Sequence, residues 1–269
     1  MNDMDEHFSE VAERYNDIRR TDREPVTYIR DLLSKYKRCD AVDVGCGPGR
    51  YALLLLQMIP QLYLTCLDRN PKMIVETSRL MHGTDADRFK AVIGDAADFP
   101  LDSSSVDAVV TFNAIHHFIL PAFLREARRV LKKDGTIWIY SRLPSQNATS
   151  IWGKYFPDFN TVETRLYSLD SIEAAIRSIP GLALDTIKLF QFERVSSLNN
   201  LIEKARAAHY STFSLYRKDH LEECISAFQE HVLRDFSNPD QIRWIDGNVL
   251  LTVKLAANSP VSPRPFESV

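Results

Sequence analysis

The sequence predicts a doubly wound α/β fold built around a parallel sheet, and three observations carry that prediction. From Asp40 to Pro144, short runs dense in Val, Ile, Leu and aromatics alternate with helical segments: "AVDV", "YLTCL", "FKAVI", "VDAVVTF" and "TIWIY". Runs with no polar face belong to strands covered by helices on both sides. The first of them enters "GCGPGR", three glycines at alternate positions, and the apolar stretch "YALLLLQMI" follows. That is a tight strand-to-helix turn.

At the amino terminus, Phe8, Val11, Ala12 and Tyr15, then Val26, Ile29, Leu32 and Leu33, fall at helical spacing. Residues 1–38 are therefore expected to form a helical cap. Within the core, 39–143, Asn70 is an N-cap and Pro71 occupies the first turn. Met73, Ile74, Thr77 and Leu80 share a face, and Gly83 ends the helix. Pro121 opens a second helix with the stripe Phe123, Leu124, Ala127, Val130 and Leu131, which Gly135 is expected to terminate.

Residues 144–257 are expected to complete the fold with insertions that cover it. "PSQNATSIWGKYFPDFNT" reads as a long loop or short helices, and "SLDSIEAAIRSI" as a helix closed by Pro180 and Gly181. "ALDTIKLFQFERV" is a strand. An amphipathic helix runs from about Lys218 to Phe236, with Leu221, Cys224, Ile225, Phe228, Val232 and Phe236 on one face, and "NVLLTVKLA" is the last strand. Residues 258–269, rich in Pro and Ser, read as a flexible tail.

The 269 residues are 45% hydrophobic and 26% charged, which suits one domain with embellishments. A formal net charge of -3 gives no pull toward phosphate backbones, so nucleic acid is a disfavoured partner. The acidic start lacks the basic and apolar regions of a secretory signal, and no apolar run approaches the ~20 residues that span a bilayer. A soluble cytoplasmic protein with no membrane association is expected. The four cysteines form no C-x-x-C pair, so spacing lends no support to zinc or dithiol chemistry, and reduced buried thiols are expected.

Gly45, Gly47 and Gly49 allow positive φ and let a ligand meet the main chain without a Cβ between. A nicotinamide or flavin dinucleotide calls for G-x-G-x-x-G, but the sixth position here is Arg50. That departure weighs against a nicotinamide oxidoreductase. Asp68, about 20 residues past the turn at the end of the second strand, can accept both hydroxyls of a ribose. Asp95, at the end of the third, can accept from an exocyclic adenine amine. Together they describe an adenosine pocket with no demand for phosphate.

With these residues, "DVGCGPGR", "LDRNPKMI", "GDAADFP" and "VDAVVTFNAIHHF" resemble, in order and spacing, four segments of the class I S-adenosylmethionine-dependent methyltransferases. "FSEVAERYNDIR" and "AIHHF" look most like the type 11 small-molecule methyltransferases. The resemblance implies a seven-stranded Rossmann-like sheet, five strands parallel and a C-terminal antiparallel hairpin, with N-terminal helices and a helical cap. It implies S-adenosyl-L-methionine as cofactor, with Asp43 supporting its amino-acid end and Gly45, Cys46, Gly47 and Gly49 bordering that end. Asp68 and Arg69 would meet the ribose, Asp95 and Ala96 the adenine, and Asn113 would lie under the donor. Tyr15 and Arg19 would close over the cofactor, Arg19 pairing with its carboxylate.

Methyl transfer from a sulfonium is an in-line displacement, so alignment is the main demand and a base is optional. His116 and His117, on the loop after the fourth strand, are the candidate bases; pocket wall or helix-start hydrogen bonding is the structural alternative. His117, Arg142, Trp152, Tyr155 and Tyr210 are the candidate substrate residues. With Phe156, Phe159, Phe213, Tyr216 and Trp244 they suggest a small acceptor, partly apolar or aromatic. The rival functions are an enzyme of the same fold acting on tRNA or protein, and a non-catalytic cofactor-binding scaffold. A monomer or homodimer is expected.

Overall fold

The computed structural model describes residues 21–84 and 86–256. The helix expected around Phe8–Tyr15, the cofactor candidates Tyr15 and Arg19, and the tail 258–269 lie outside the described residues.

The described chain begins with α1 (Glu24–Leu33), which buries Val26, Ile29 and Leu33, while Leu32 is exposed. Then β1 (Cys39–Val44), α2 (Arg50–Met58), β2 (Leu62–Asp68), α3 (Pro71–Leu80), β3 (Phe89–Ile93) and β4 (Val106–Phe112) alternate as expected. The Asn70 side chain accepts from the Lys72 amide at 3.0 Å and caps α3, with Pro71 in the first turn. Next come α4 (Leu120–Val130) and β5 (Leu131–Ser141). Gly135 does not terminate α4, contrary to expectation. It lies inside β5, where a Cβ would stand 2.6 Å from Leu131 Cδ2 and 3.2 Å from the Asp107 carbonyl. There the β4–β5 register shifts, and the bare backbone admits the neighbouring strand.

"PSQNATSIWGKYFPDFNT" forms three short helices, α5 (Pro144–Thr149), α6 (Ile151–Tyr155) and α7 (Phe159–Val162). They precede α8 (Leu169–Ser178), β6 (Leu182–Ser196), α9 (Leu198–Arg206), α10 (Lys218–Asp235) and β7 (Ile242–Leu255). No signal was read for α9. Its start is nonetheless written in Ser197, whose hydroxyl accepts from the Asn200 amide at 3.2 Å.

The sheet order is β3-β2-β1-β4-β5-β7-β6. The first five strands are parallel; β7 runs antiparallel to β5, and β6 antiparallel to β7. One apolar layer packs α1 and α2 on a sheet face, a second packs α4 and α8 on the other. A third core belongs to the cap alone: Trp152, Phe156, Phe159, Phe213 and Phe228 pack ring on ring, Trp152 stacking on Phe228 at 5.1 Å. All four cysteines are free and buried. No described helix is long and apolar enough to cross a membrane.

Candidate active site at the carboxyl ends of the strands

Reversal of the chain between β1 and β4 opens a crevice at the carboxyl ends of the strands, where α/β sheets of this kind place ligands. A cavity of about 520 Å³ lies there, roofed by the cap. The turn after β1 forms its floor. Gly45 (φ 68), Gly47 (φ 55) and Gly49 (φ 85) are all in the left-handed region, but for different neighbours. A Cβ on Gly45 would meet Ala114 Cβ at 2.7 Å and the Phe118 ring at 2.8 Å, and one on Gly49 would meet Thr77 at 2.9 Å. Only at Gly47 would it meet no described atom within 4 Å. Gly45 and Gly47 line the cavity, whereas Gly49 serves the packing of α2 on α3 and does not. Cys46 lines it as well, its thiol held protonated by its neighbour Cys66 and by burial.

Carboxylates stand at the strand ends. Asp68 accepts from the Gly47 amide (2.9 Å) through one oxygen and the Asn70 amide (2.9 Å) through the other, which ties the glycine turn to the end of β2. Asp95 Oδ1 accepts from the Ala97 amide at 2.8 Å, leaving an exposed residue at the cavity edge beside Ala96 and near Arg69. Asp43 is different. It is 1% exposed, lines the cavity, and neither carboxylate oxygen has a hydrogen-bond partner among the described residues. Burial, then the charge of Asp68, pushes its carboxyl up to about 8.

Beyond β4, Asn113 adopts φ 54. Its amide donates to the Tyr140 carbonyl (2.7 Å) and its side-chain oxygen accepts from Asn248 (3.1 Å), so β7 fixes it at the cavity wall. His116 and His117 follow in a 3-10 turn, ring centroids 4.0 Å apart, and both line the cavity.

Under the cap the lining is charged. Asp22 accepts from the Tyr140 hydroxyl (3.0 Å) and pairs with Arg194 at 2.6 Å. Arg194 also lies 3.6 Å from Asp246, and Arg142 stands 3.3 Å from the other Asp246 oxygen, an ion pair without hydrogen-bond alignment. Arg142 in turn sits over the Tyr210 ring at 5.5 Å. Opposite, Glu163 pairs with Arg165 and accepts from Thr212 at 2.6 Å. Burial opposes ionisation of Glu163, but these partners hold its carboxyl below the usual range.

Of the candidate substrate residues, His117, Arg142, Trp152 and Tyr210 line the cavity. Tyr155 does not: its ring packs against Phe236, 5.5 Å away, on the far side of the cap core. Phe156, Phe213 and Tyr216 likewise pack inside the cap, because rings concentrated in one segment bury one another before they reach a ligand. Asp22, Glu163, Arg165, Arg194, Asp246 and Asn248 were not anticipated. Their one linear signal is a polar residue interrupting an apolar strand, as Asp246 and Asn248 do in "IDGNVLL".

A sheet in this order, with a glycine turn and acidic strand ends around its crevice, is the fold of the class I methyltransferases. Residues 42–139 match the methyltransferase-domain family model of the type 11 group. The chain is 30% identical over 156 residues to the demethylmenaquinone methyltransferase of Thermotoga maritima, an alignment covering 55% of this chain and 65% of that protein. In fold it is similar to the YcgJ protein of Bacillus subtilis, with a TM-score of 0.64 at 18% identity over 87% of this chain and 98% of the other. It is also similar to the geranyl diphosphate C-methyltransferase of Streptomyces coelicolor, solved with Mg2+, geranyl diphosphate and S-adenosyl-L-homocysteine. There the TM-score is 0.53 at 18% identity, covering 87% of this chain and 80% of that one.

Proposed function

We propose that the protein is an S-adenosylmethionine-dependent methyltransferase acting on a small, polar acceptor. The observation that supports this best is Asp43. A buried carboxyl facing a cavity with no partner among the described residues suits an ammonium group, which would offset its desolvation. The residues suit the rest of the cofactor: Gly47 leaves room against the main chain, and Asp68, Asp95 and Ala96 line the same cavity, where Asp68 would meet the ribose and Asp95 and Ala96 the adenine. When bound, the cofactor supplies an electrophilic methyl group on sulfur.

The chain's own task is alignment and exclusion of water. Asn113, held in a left-handed conformation by its bonds to β5 and β7, and the paired imidazoles at 116 and 117 face the same space. The cap roofs the cavity with Trp152 and Phe159. The ion pairs of Arg142, Arg194, Asp22 and Asp246 support a polar acceptor over the partly apolar or aromatic one expected from the rings. The Thermotoga relative is named for demethylmenaquinone, a small molecule rather than a macromolecule, which supports the small-acceptor reading.

Calorimetric titration with S-adenosylmethionine and S-adenosylhomocysteine, beside a nicotinamide dinucleotide, tests the cofactor. Saturable binding of the adenosyl ligands alone is expected, weakened about tenfold or more by Asp68→Ala, which removes charge-assisted hydrogen bonds. Absence of binding by folded, ligand-free protein would favour a scaffold. Replacing His116 or His117 with Gln is expected to lower turnover with little change in cofactor affinity. Unchanged turnover in both variants would leave the imidazoles as wall.

A further inference from the structure

We propose that Asp158, His220 and Cys224 form a binding site for one divalent metal ion of the zinc class, on the outer side of the cap and separate from the cavity. His220 and Cys224 stand one turn apart on the same face of α10, the i, i+4 spacing by which a helix presents two ligands to one ion. Asp158, at the start of α7, reaches the same point from across the cap. The three ligand atoms lie within 4.8 Å of one another.

Two of the three ligand distances match those a shared ion would set. His220 Nε2 stands 3.3 Å from Asp158 Oδ2 and 3.5 Å from Cys224 Sγ. A tetrahedral zinc with nitrogen at about 2.0–2.1 Å, oxygen at about 2.0–2.2 Å and sulfur at about 2.3 Å sets those edges near 3.4 and 3.6 Å. The tautomer is supported from behind: Glu223 Oε2 lies 3.4 Å from Nδ1, the carboxylate–histidine–metal arrangement that fixes ring orientation and raises ligand basicity.

The donor set, one nitrogen, one sulfur and one oxygen, selects zinc-like ions over magnesium or calcium. Coordination releases the thiol proton to solvent. Thiolate and carboxylate then balance the 2+ charge, leaving the fourth position for water. The site would fasten α10 to the segment that walls the cavity, since Pro157 accepts from the Tyr216 hydroxyl (2.7 Å) and the buried Phe159 lines the cavity. No C-x-x-C spacing marks it; the linear trace is H-x-x-x-C, "HLEEC".

The test is titration of the reduced, chelator-treated full chain with Co2+, followed by displacement with Zn2+. The expected result is one equivalent giving the visible bands of tetrahedral cobalt and a thiolate-to-cobalt charge-transfer band. Cys224→Ser should abolish the charge-transfer band, and Glu223→Gln should weaken binding about 10–100-fold. His220→Gln, at a partly exposed position, is a second variant insensitive to core packing and should weaken binding at least as much. No charge-transfer band in folded protein would overturn the proposal. So would a band that survives Cys224→Ser, which would place the thiolate at another cysteine, or equal affinity in His220→Gln.

Discussion

Asp43→Asn is expected to weaken S-adenosylmethionine binding by about 10–100-fold, the worth of a hydrogen-bonded charge contact, and to flatten the pH dependence of stability. Burial and the neighbouring Asp68 move this carboxyl from an ordinary value of 3.8 to about 8. Between those values the folded chain keeps a proton that the unfolded chain has lost. The stabilising contribution is therefore complete below about pH 4 and declines as pH rises toward 8, by about 1.4 kcal/mol per pH unit from this group. Asparagine cannot ionise and removes that slope. Urea denaturation across this range reads the difference, and an identical slope in the variant would show that Asp43 is ionised in the free protein. An ammonium placed against Asp43 draws its proton off, so cofactor binding near neutral pH should release a proton. Calorimetry in buffers of different ionisation enthalpy detects that release, and the Asn variant should lack it.

Gly45→Ala is expected to cost about 2–5 kcal/mol: about 1–2 for a Cβ in the left-handed region and about 1–3 for overpacking. Its added carbon would lie 2.7 Å from Ala114 Cβ and 2.8 Å from Phe118, pushing away the loop that bears His116 and His117. A lower urea midpoint with an unchanged slope would register the loss. Gly47→Ala is the informative contrast. It carries the same conformational strain, but its Cβ meets no described atom within 4 Å and points into space the cofactor would occupy. Its effect should fall on adenosyl-ligand affinity more than on stability. A Gly47→Ala protein that binds as tightly as wild type would take that residue out of the proposed site.

Legibility in the sequence followed the range of the interaction. Strand β4 was read end to end, "VDAVVTF", because it is a buried run, and so was β3, "FKAVI", an edge strand only half-buried, because the character of both is local. The Asn70 cap is a contact between near neighbours and was equally legible. Gly135 was misread because it resembles a helix stop in sequence, while its real constraint is the close approach of Asp107 from the next strand. The cap rings were overread as lining, since composition reports that aromatics are present but not which of them consume one another in a core.

By itself, then, the amino-acid order determined the doubly wound sheet, the glycine turn, and the acidic residues at the ends of the first three strands. Those features are written in contiguous residues and in periodicity. Only the tertiary structure decided that Gly47, alone of the three glycines in the turn after β1, faces open space, that Asp43 is left buried without a described partner, and that residues 22, 142, 194 and 246 meet as one charged network under the cap. Each of these depends on segments distant in the chain arriving at one place, and neither periodicity nor spacing encodes such an encounter.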